Sequence, residues 1–532
     1  MKYFLSAAYV LIFCLAGKSQ IVDKSNYPST QNNTLLSTQS LQLGLVKFKA
    51  KDYKGALLDF EKAIEYNSLN GKAYRSKGDV EQELNLYRKA VESYTKALEI
   101  NKTDTLSYKG RANSQRMSDS YQESLGDYDI ALKWDPNDPI VHFGRGSVRY
   151  KLGNYEGAIT DFNFSISKLP KASIFYLKRS LAYVENSQYS EAKKDLKKYL
   201  QLGGKEEGVF YYLGLSNAYL GDFDPSLADS AIYYLTIYVS SMNKSNSNDP
   251  TVYQLLGMAY SQKKDTAKTR LNFRKSLSLD SENKDTYFRW GNAELNFGDY
   301  RKANDLFTET NKRIKSPSAG FYYHSGLAKI GIKDTTEAVN NFTKALALDS
   351  NKRDVYEYRI IALFNSNKYH KVVLSDLNQL TRLAKEDQEK AEWHSVKGMI
   401  DIRVKDTLAA RLEIEKAIKL RPEEPMHYMV RALLSATTNR SKEIILKDVD
   451  KAIRIDPTMA EAYLFKATYY ALHGDHKNGC ATLKWAIKTG ASVPKEVENY
   501  ICKGKMPKSG KVPELFIPFS PRLIIRKELI EE

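Results

Sequence analysis

Apolar residues recur at intervals of three and four along most of this chain, and the pattern itself returns at a longer, fixed interval. Residues 53–67 read YKGALLDFEKAIEYN, and residues 87–101 read YRKAVESYTKALEIN. An interval of three to four is the period of an amphipathic α-helix, whereas a half-buried strand alternates every second residue. The pattern therefore predicts an all-α chain made of one repeated unit.

Each unit carries the positions of two helices joined by a turn. In the second copy, Tyr74 and Gly78 belong to a first helix, and Ala90 and Tyr94 belong to a second helix. Helix axes approach to about 8–10 Å only where the contacting side chains permit it. We therefore expect Gly78 to face Ala90, with Tyr74 and Tyr94 filling the space beside them.

The unit can be followed through about 13 copies, from near residue 37 to residue 490. A small residue marks the first helix of each copy, except in the tenth. These positions are Gly44, Gly78, Ala112, Gly146, Ser180, Gly214, Gly257, Gly291, Gly326, Ile360, Gly398, Ala432 and Ala467. The first six are equally spaced, and a fixed period in this range is the signature of a repeat array.

These spacings resemble the tetratricopeptide repeat, a helix-turn-helix unit of about 34 residues. The resemblance implies an all-α solenoid of about 13 repeats that coils into a right-handed superhelix. It also implies a non-catalytic scaffold that binds a partner polypeptide in the concave groove lined by the first helices. Because fold alone does not fix function, the residues of that groove have to carry the argument.

Insertions in the sixth copy and before the eleventh copy divide the array. The predicted blocks are residues 37–240 with about six repeats, 250–383 with about four and 391–490 with about three. Residues 491–502 are predicted to form a capping helix, because the last repeat of a solenoid otherwise exposes an apolar face.

Residues 1–19 predict a cleaved signal peptide. Lys2 precedes an apolar run, and small residues follow it, so that cleavage after Gly17 or after Ser19 fits the pattern. The run is shorter than the roughly 20 apolar residues that cross a bilayer. An uncleaved anchor and a lipoprotein are the alternatives, although the residue before Cys14 is not small. We expect export, to the periplasm or envelope of a Gram-negative bacterium.

The charge balance is basic. The chain has 81 Lys and Arg against 64 Asp and Glu, a net charge of +17, and loss of Lys2 and Lys18 with the signal leaves 17 − 2 = +15. Such an excess can indicate nucleic acid, an anionic surface or acidic partners. Because lysine is spread along the chain and forms no local patch, no nucleic-acid partner is predicted. Peripheral association with the envelope stays open.

The resemblance implies which residues line the partner-binding groove. The positions carried over are Arg75, Lys109, Asn113, Phe143, Tyr150, Tyr211, Tyr219, Phe288, Asn292, Tyr323 and Phe364, together with Asp79 and Gln254. Clustered aromatic residues are good anchors for a partner. However, an aromatic residue on a first helix is often lodged between adjacent repeats, so we expect about half of them to reach solvent.

A carboxylate-gripping version of the groove is only partly matched. Lys109 and Asn113 fit the first pair of residues that some members of the family use to hold a terminal carboxylate. Gly144, Ile174 and Lys178 occupy the remaining places and do not complete the set. We therefore interpret the first pair as a coincidence.

No catalytic site is predicted. HExxH and CxxC patterns are absent from the sequence. Residues 504–512, GKMPKSGKV, have five residues between the glycines where a phosphate loop needs four. His473, His476 and Cys480 have spacings at which side chains can share a metal, but an inter-helix turn followed by a packed cysteine is the simpler interpretation. The prediction is no enzyme, no cofactor and no metal.

Two cysteines remain after signal removal. An even count in an exported chain favours a disulfide. Cys480 lies early in the last second helix and Cys502 near the end of the capping helix. Antiparallel helices would bring these ends together, so we hypothesise a Cys480–Cys502 bond, with two buried thiols as the alternative.

The flanks of the array are less informative. Residues 20–36 are predicted to form a flexible linker, and residues 503–532 a basic linker followed by an apolar tail. The tail is expected to fold back onto the last repeats, with docking to a partner or a membrane surface as the alternative.

The function expected from the sequence is a non-catalytic protein-interaction scaffold that binds an extended peptide or a helix of a partner. The alternative is an envelope assembly or secretion accessory factor that holds many clients.

Overall fold

A computed structural model describes residues 29–244, 248–363 and 369–505 of the chain. These residues form 27 α-helices and no strands. The chain divides into two compact units, Met1–Asn248 and Asp249–Glu532, called here the N-terminal and C-terminal units. The predicted signal peptide, Phe364 and residues 506–532 lie outside the described residues.

The N-terminal unit contains six helix pairs. Their bounds are α1 Ser29–Lys49 and α2 Tyr53–Tyr66, α3 Gly71–Glu83 and α4 Tyr87–Ile100, α5 Thr105–Met117 and α6 Tyr121–Trp134, α7 Pro139–Lys151 and α8 Tyr155–Lys168, α9 Ser173–Glu185 and α10 Tyr189–Gln201, and α11 Gly208–Leu220 and α12 Ala228–Lys244.

The C-terminal unit contains seven pairs and a final helix. Their bounds are α13 Pro250–Gln262 and α14 Thr266–Leu279, α15 Lys284–Asn296 and α16 Tyr300–Arg313, α17 Ala319–Gly331 and α18 Thr335–Leu348, α19 Arg353–Leu363 and α20 His370–Leu383, α21 Asp387–Arg403 and α22 Thr407–Leu420, α23 Pro425–Thr437 and α24 Lys442–Ile455, α25 Ala460–Leu472 and α26 His476–Lys488, and α27 Lys495–Lys503.

Within each unit the helices stack as a solenoid. Each odd-numbered first helix packs against the second helix of its pair, and that second helix packs against the first helix of the next pair. The all-α repeat fold predicted from the sequence is confirmed. The right-handed superhelical path stays a prediction.

The repeated small residue makes room for a ring from the second helix. A Cβ atom built on Gly78 would lie 2.9 Å from the Tyr94 ring, and one on Gly326 would lie 2.5 Å from the Phe342 ring. Both rings are fully buried. In each pair the two residues are 16 apart, so the helix-turn-helix geometry brings them face to face. Ala90 is also fully buried, but the atoms nearest Gly78 belong to the Tyr94 ring, so the expectation that Gly78 faces Ala90 is corrected to a contact between glycine and ring.

Two local features, a residue with positive φ and an N-cap side chain, fix the conformation of the short turns inside the pairs. The turn residue Lys51 adopts a positive φ of 62°, and the glycine at the same place in α7–α8, Gly153, has φ 78°. The residue before the second helix then caps it, as Asp52 does by accepting a hydrogen bond from the Gly55 amide at 2.9 Å. An acceptor side chain at the N-cap satisfies an amide that the helix leaves unpaired.

Some predicted boundaries are corrected by the structure. The predicted linker over residues 20–36 is too long, because α1 already begins at Ser29. No proline or glycine interrupts residues 29–43, and Ser37 anchors the helix by donating to the Ala63 carbonyl at 2.6 Å. The third block begins at Asp387, before the predicted residue 391, and the capping helix is α27.

None of the helices within residues 29–244, 248–363 and 369–505 is long and apolar enough to cross a bilayer.

The packing of rings against glycines predicts opposite effects for two glycine-to-alanine changes. Gly326→Ala should lower the free energy of unfolding by about 1–3 kcal/mol, because the Phe342 ring has no space to retreat. Gly126→Ala, in α6, meets no atom within 4 Å and should raise it by up to about 1 kcal/mol through helix propensity. Chemical denaturation of both variants checks the pair. Equal stabilisation by both would contradict the packing account.

Candidate functional site

The face formed by the first helices is the candidate site, and its two predicted cations are tied to the next repeat. Arg75 Nη1 lies 3.0 and 3.1 Å from the carboxylate oxygens of Asp104. One repeat later, Lys109 Nζ donates to Asp138 at 2.5 Å. Asp104 and Asp138 are the N-cap residues of α5 and α7. The two cations are therefore partly buried links between successive first helices.

The polar positions beside these cations also have partners within the chain. Asn113 accepts a hydrogen bond from Arg116 at 2.6 Å. Asp79 accepts one from the Tyr94 hydroxyl at 2.7 Å, and burial raises the pKa of its carboxyl. A ligand at this end of the N-terminal unit would have to compete with bonds that already exist.

Two further predicted groove residues lie in the C-terminal unit. Gln254 is buried and accepts a hydrogen bond from Thr286 at 3.1 Å. Asn292 is partly buried, and its Oδ1 atom is shielded from solvent and has no hydrogen-bond partner among the described residues. Gln254 therefore belongs to the interior, while Asn292 keeps one acceptor unused.

The predicted aromatic residues of the N-terminal unit pack against neighbouring helices. The Phe143 ring lies 4.6 Å from Phe175 on α9. Tyr219 stacks on Tyr189 at 4.6 Å, and Tyr211 lies 5.3 Å from Tyr238.

Tyr150 completes this set. It lies 5.8 Å from Tyr155 on α8, and burial raises the pKa of its hydroxyl to about 12. All four predicted aromatic residues of the unit are partly buried, so only part of each ring is open to a partner.

The predicted aromatic residues of the C-terminal unit also pack against rings of neighbouring helices. Phe288 lies 5.9 Å from Phe307 and 6.2 Å from Phe321. Tyr323 lies 5.9 Å from Tyr358, and burial raises the pKa of its hydroxyl. These rings bridge adjacent repeats, which was the structural alternative considered from the sequence.

An apolar row on three successive first helices was not picked out as groove-lining from the sequence. Leu106, Ile140 and Ile174 occupy the same place on α5, α7 and α9, each one full repeat after the last. Their exposed fractions are 57%, 59% and 38%. Their common spacing was the signal that could have identified them. The row is called here the first-helix apolar row.

A recurring arginine on the first helix joins the two second helices that flank it. In five repeats, an arginine one residue before the small position donates two hydrogen bonds to an aspartate on its own second helix and one to a residue on the preceding second helix. The pairs are Arg111–Asp127, Arg145–Asp161, Arg179–Asp195, Arg359–Asp376 and Arg431–Asp448.

Arg179 shows the geometry of this arginine clasp. Its Nε and Nη2 atoms donate to Asp195 at 2.6 and 2.7 Å, and its Nη1 atom donates to Asn163 on α8 at 2.6 Å. Asp195 is buried, and burial raises the pKa of its carboxyl although the guanidinium opposes that change. One side chain thus joins three helices, and the clasp was not recognised in the sequence.

The last repeat contains the disulfide hypothesised from the sequence. Cys480 in α26 and Cys502 in α27 are bonded, with Cα atoms 4.5 Å apart. His476 contacts the Ile501 carbonyl at 3.2 Å through Nδ1, and His473 contacts the Tyr469 carbonyl at 2.8 Å. The three residues once considered as metal ligands therefore have these other partners. Across the part of the chain that the structure describes, no group of three or more potential ligands could hold a metal ion.

Comparison with known families identifies the repeats. Residues 41–105 and 110–164 match one tetratricopeptide-repeat family model, and residues 250–283 and 319–352 match a second. These four segments are tetratricopeptide repeats, a fold that typically serves as a non-catalytic scaffold for protein interactions.

Individual relatives are distant. The chain is 30% identical over 142 residues to U-box domain-containing protein 70 of Oryza sativa subsp. japonica, and the match covers 25% of this chain and 18% of that protein. The crystal structure of MamA is 23% identical and covers 31% of this chain and 91% of its own, with a TM-score of 0.30. That of PilW, described as a type IV pilus biogenesis factor, is 21% identical and covers 38% and 90%, with a TM-score of 0.33.

Breaking one arginine clasp should destabilise the chain in a pH-dependent way. Arg179→Met should cost about 3 kcal/mol at pH 7, because it leaves the buried Asp195 carboxylate without a counter-ion. Without Arg179 the pKa of Asp195 rises further in the folded state. The folded chain then binds a proton more tightly than the unfolded chain, whose carboxyl has a pKa of about 3.9. Stability is therefore regained as the pH falls towards 4.

Thermal unfolding of this variant at pH 7 and pH 4 measures the effect. The double variant Arg179→Met/Asp195→Leu is the control, and it should recover most of the stability because neither charge is left buried. An equal loss at both pH values would show that lost packing, and not the unpaired carboxylate, accounts for the effect.

Reduction of the disulfide should destabilise the last repeat. The bond spans a sequence separation of 22 residues, for which the chain-entropy model gives about 3 kcal/mol. Denaturation with and without reductant measures this difference. The variant Cys480→Ala/Cys502→Ala should unfold as the reduced chain does and be insensitive to reductant. No shift on reduction would refute a stabilising role.

Proposed function

We propose that the chain is an exported, non-catalytic scaffold that binds one partner protein on the face of its first helices. The observation that carries the proposal is the first-helix apolar row of Leu106, Ile140 and Ile174. Three apolar side chains at the same place on successive first helices are left in water, and exposed apolar patches mark interaction sites.

The chemistry around the row favours an apolar partner segment. The cations at the same face, Arg75 and Lys109, are already paired with Asp104 and Asp138. Charged groups of a partner would therefore add little binding free energy at this face, and apolar groups that cover the row would add the most. Burial of apolar surface contributes about 25 cal/mol per Å², and one anchor residue can dominate an interface.

The spacing of the row favours a helix over an extended segment. Successive first helices of the row also contact one another directly. Axes of packed helices lie about 8–10 Å apart, so neighbouring residues of the row are separated by about that distance. Seven residues of a partner α-helix rise about 10.5 Å and return the same face. An extended strand covers about 10 Å in three residues, which turns alternate side chains away. We infer an amphipathic partner helix with apolar residues at heptad spacing.

Export is part of the proposal and has separate support. The signal-like residues 1–19 and the Cys480–Cys502 bond both fit a chain that matures in an oxidising compartment. Periplasmic or envelope location in a Gram-negative bacterium, peripheral association with that envelope and the absence of a nucleic-acid partner belong to the same proposal.

A second candidate function is an accessory factor that holds many clients during envelope assembly or secretion. The feature in its favour is the simplicity of the row, because three aliphatic side chains select for apolar character more than for a defined sequence. The two candidates differ in the number of proteins that the row contacts.

A photo-crosslinking amino acid at position 140 in host cells tests the proposal. We expect one discrete adduct identified by mass spectrometry, and we expect Ile174→Lys to remove it while leaving the unfolding midpoint unchanged, because Ile174 is exposed. The matched control is position 58, since Leu58 is equally apolar and 60% exposed but lies on the second helix α2. Many unrelated adducts would favour the accessory factor. Equal adducts at positions 58 and 140 would overturn the assignment of the face.

A further inference from the structure

A cleft in the C-terminal unit lies on the side of the second helices of that unit. It has a volume of about 460 Å³ and runs between α22 and α24, with part of α23 as its floor. Ligand sites commonly have volumes of about 300–1,000 Å³. The cleft is therefore large enough for several side chains of a bound segment.

The turn beside the cleft is one residue longer than the turn inside most of the other pairs. Four residues, 438–441, separate α23 from α24, whereas three residues separate α3 from α4 and α21 from α22. Asn439 in this turn has a positive φ of 51°, and the next residue, Arg440, lines the cleft. The turn therefore brings a cation to the edge of the cleft.

Three cations at the cleft have no partner within the described residues. Arg411 on α22, Arg440 in the turn and Lys447 on α24 line the cleft and are exposed. Their side chains form no hydrogen bond, ion pair or ring contact with another described residue. The cations of the arginine clasps and of the links between first helices are paired, whereas these three cations, which line one cleft, are not paired with any described residue.

Both acids at the cleft are already hydrogen-bonded to one arginine. Arg431 donates to Asp448 at 2.9 and 2.8 Å and to Glu415 at 3.2 Å. The lining therefore carries four cations and two anions, a local excess of two positive charges. This excess is available to an anionic ligand, because the one clasp arginine satisfies both carboxylates.

The rim of the cleft is apolar. Leu408 is 69% exposed and Ile444 is 47% exposed, on opposite sides of it. A small inorganic anion would meet the cations and leave both side chains in water. A peptide with acidic and apolar residues in alternation would satisfy both kinds of group.

We propose that this cleft binds an acidic, apolar-interrupted peptide segment of a partner protein, with carboxylates on Arg411, Arg440 and Lys447 and aliphatic side chains on Leu408 and Ile444. The site is independent of the first-helix apolar row, and its test does not require that row to bind anything. The net positive charge of the whole chain, +17, would speed the encounter with such a segment.

Isothermal titration of the full chain with a blocked hexapeptide, Glu-Leu-Glu-Glu-Leu-Glu, tests this inference. We expect saturable one-to-one binding that weakens as salt is raised, and no binding of the matched peptide with Gln for each Glu. Arg440→Gln and Lys447→Gln should each weaken binding by about fivefold or more, because each removes a charge-assisted bond. Both residues are exposed and unpaired, so unfolding midpoints should not move.

Lys62→Gln is the matched control variant. Lys62 is an exposed lysine on α2, and its removal lowers the net charge by the same amount. An equal effect of Lys62→Gln, or equal binding of the Gln peptide, would overturn the proposal. Binding of inorganic phosphate as tight as that of the peptide would reduce the cleft to a simple anion site and also overturn it.

The chain has an acidic segment of its own, ELIEE, at residues 528–532. If Glu528→Gln/Glu531→Gln/Glu532→Gln raises the affinity of the hexapeptide about tenfold or more, the cleft is occupied by this segment. The assignment to a partner protein would then be wrong. An unchanged affinity supports the partner.

Discussion

The structure depends on the contact between a large side chain on the second helix and a small residue, most often glycine, on the first helix of nearly every pair. Where the small residue is glycine, the ring or branched side chain that follows it lies where a Cβ atom would stand, as in Gly44 with Phe60 at 2.5 Å. The sixth repeat keeps this contact despite an insertion. Gly214 meets Leu235 instead of a residue at the usual spacing, because the 3₁₀ turn Pro225–Leu227 absorbs the added residues. Helix approach is thus fixed by this contact, and loop length adapts to it.

The repeats could be predicted because the two residues of that contact lie close together in the sequence. The small and aromatic positions recur at fixed distances, so the number of pairs and most boundaries followed from the sequence. The ion pairs of Arg75 and Lys109 could not be predicted from the sequence. Each pairs with an aspartate of the next repeat, and the position of that aspartate in the sequence indicates only a helix N-cap. The burial of Phe143 and Phe288 likewise depends on rings in neighbouring repeats. Residues 29–36, predicted as linker, are helical because no proline or glycine in the sequence ends α1 there.

The two faces of the repeats have different physical characters. On one side, arginine clasps such as Arg179 with Asp195 join a first helix to two second helices, and their buried charges are matched within the chain. On the other side, the first helices carry neutralised charges and the exposed apolar row of Leu106, Ile140 and Ile174. The clasps stabilise the stacking of the helices. The row is the part of the first-helix face at which a partner gains the most binding free energy, because covering it buries exposed apolar surface.

Carbene footprinting of the chain, isolated from its host with bound partners and again after purification to homogeneity, tests the partner-binding face most directly. The account predicts that labelling of Leu106, Ile140 and Ile174 falls when partners are bound, while labelling of Leu58 on α2 and Leu271 on α14 is unchanged. Protection of Leu58 and Leu271 with the row still labelled would contradict it, because the partner would then bind the second helices.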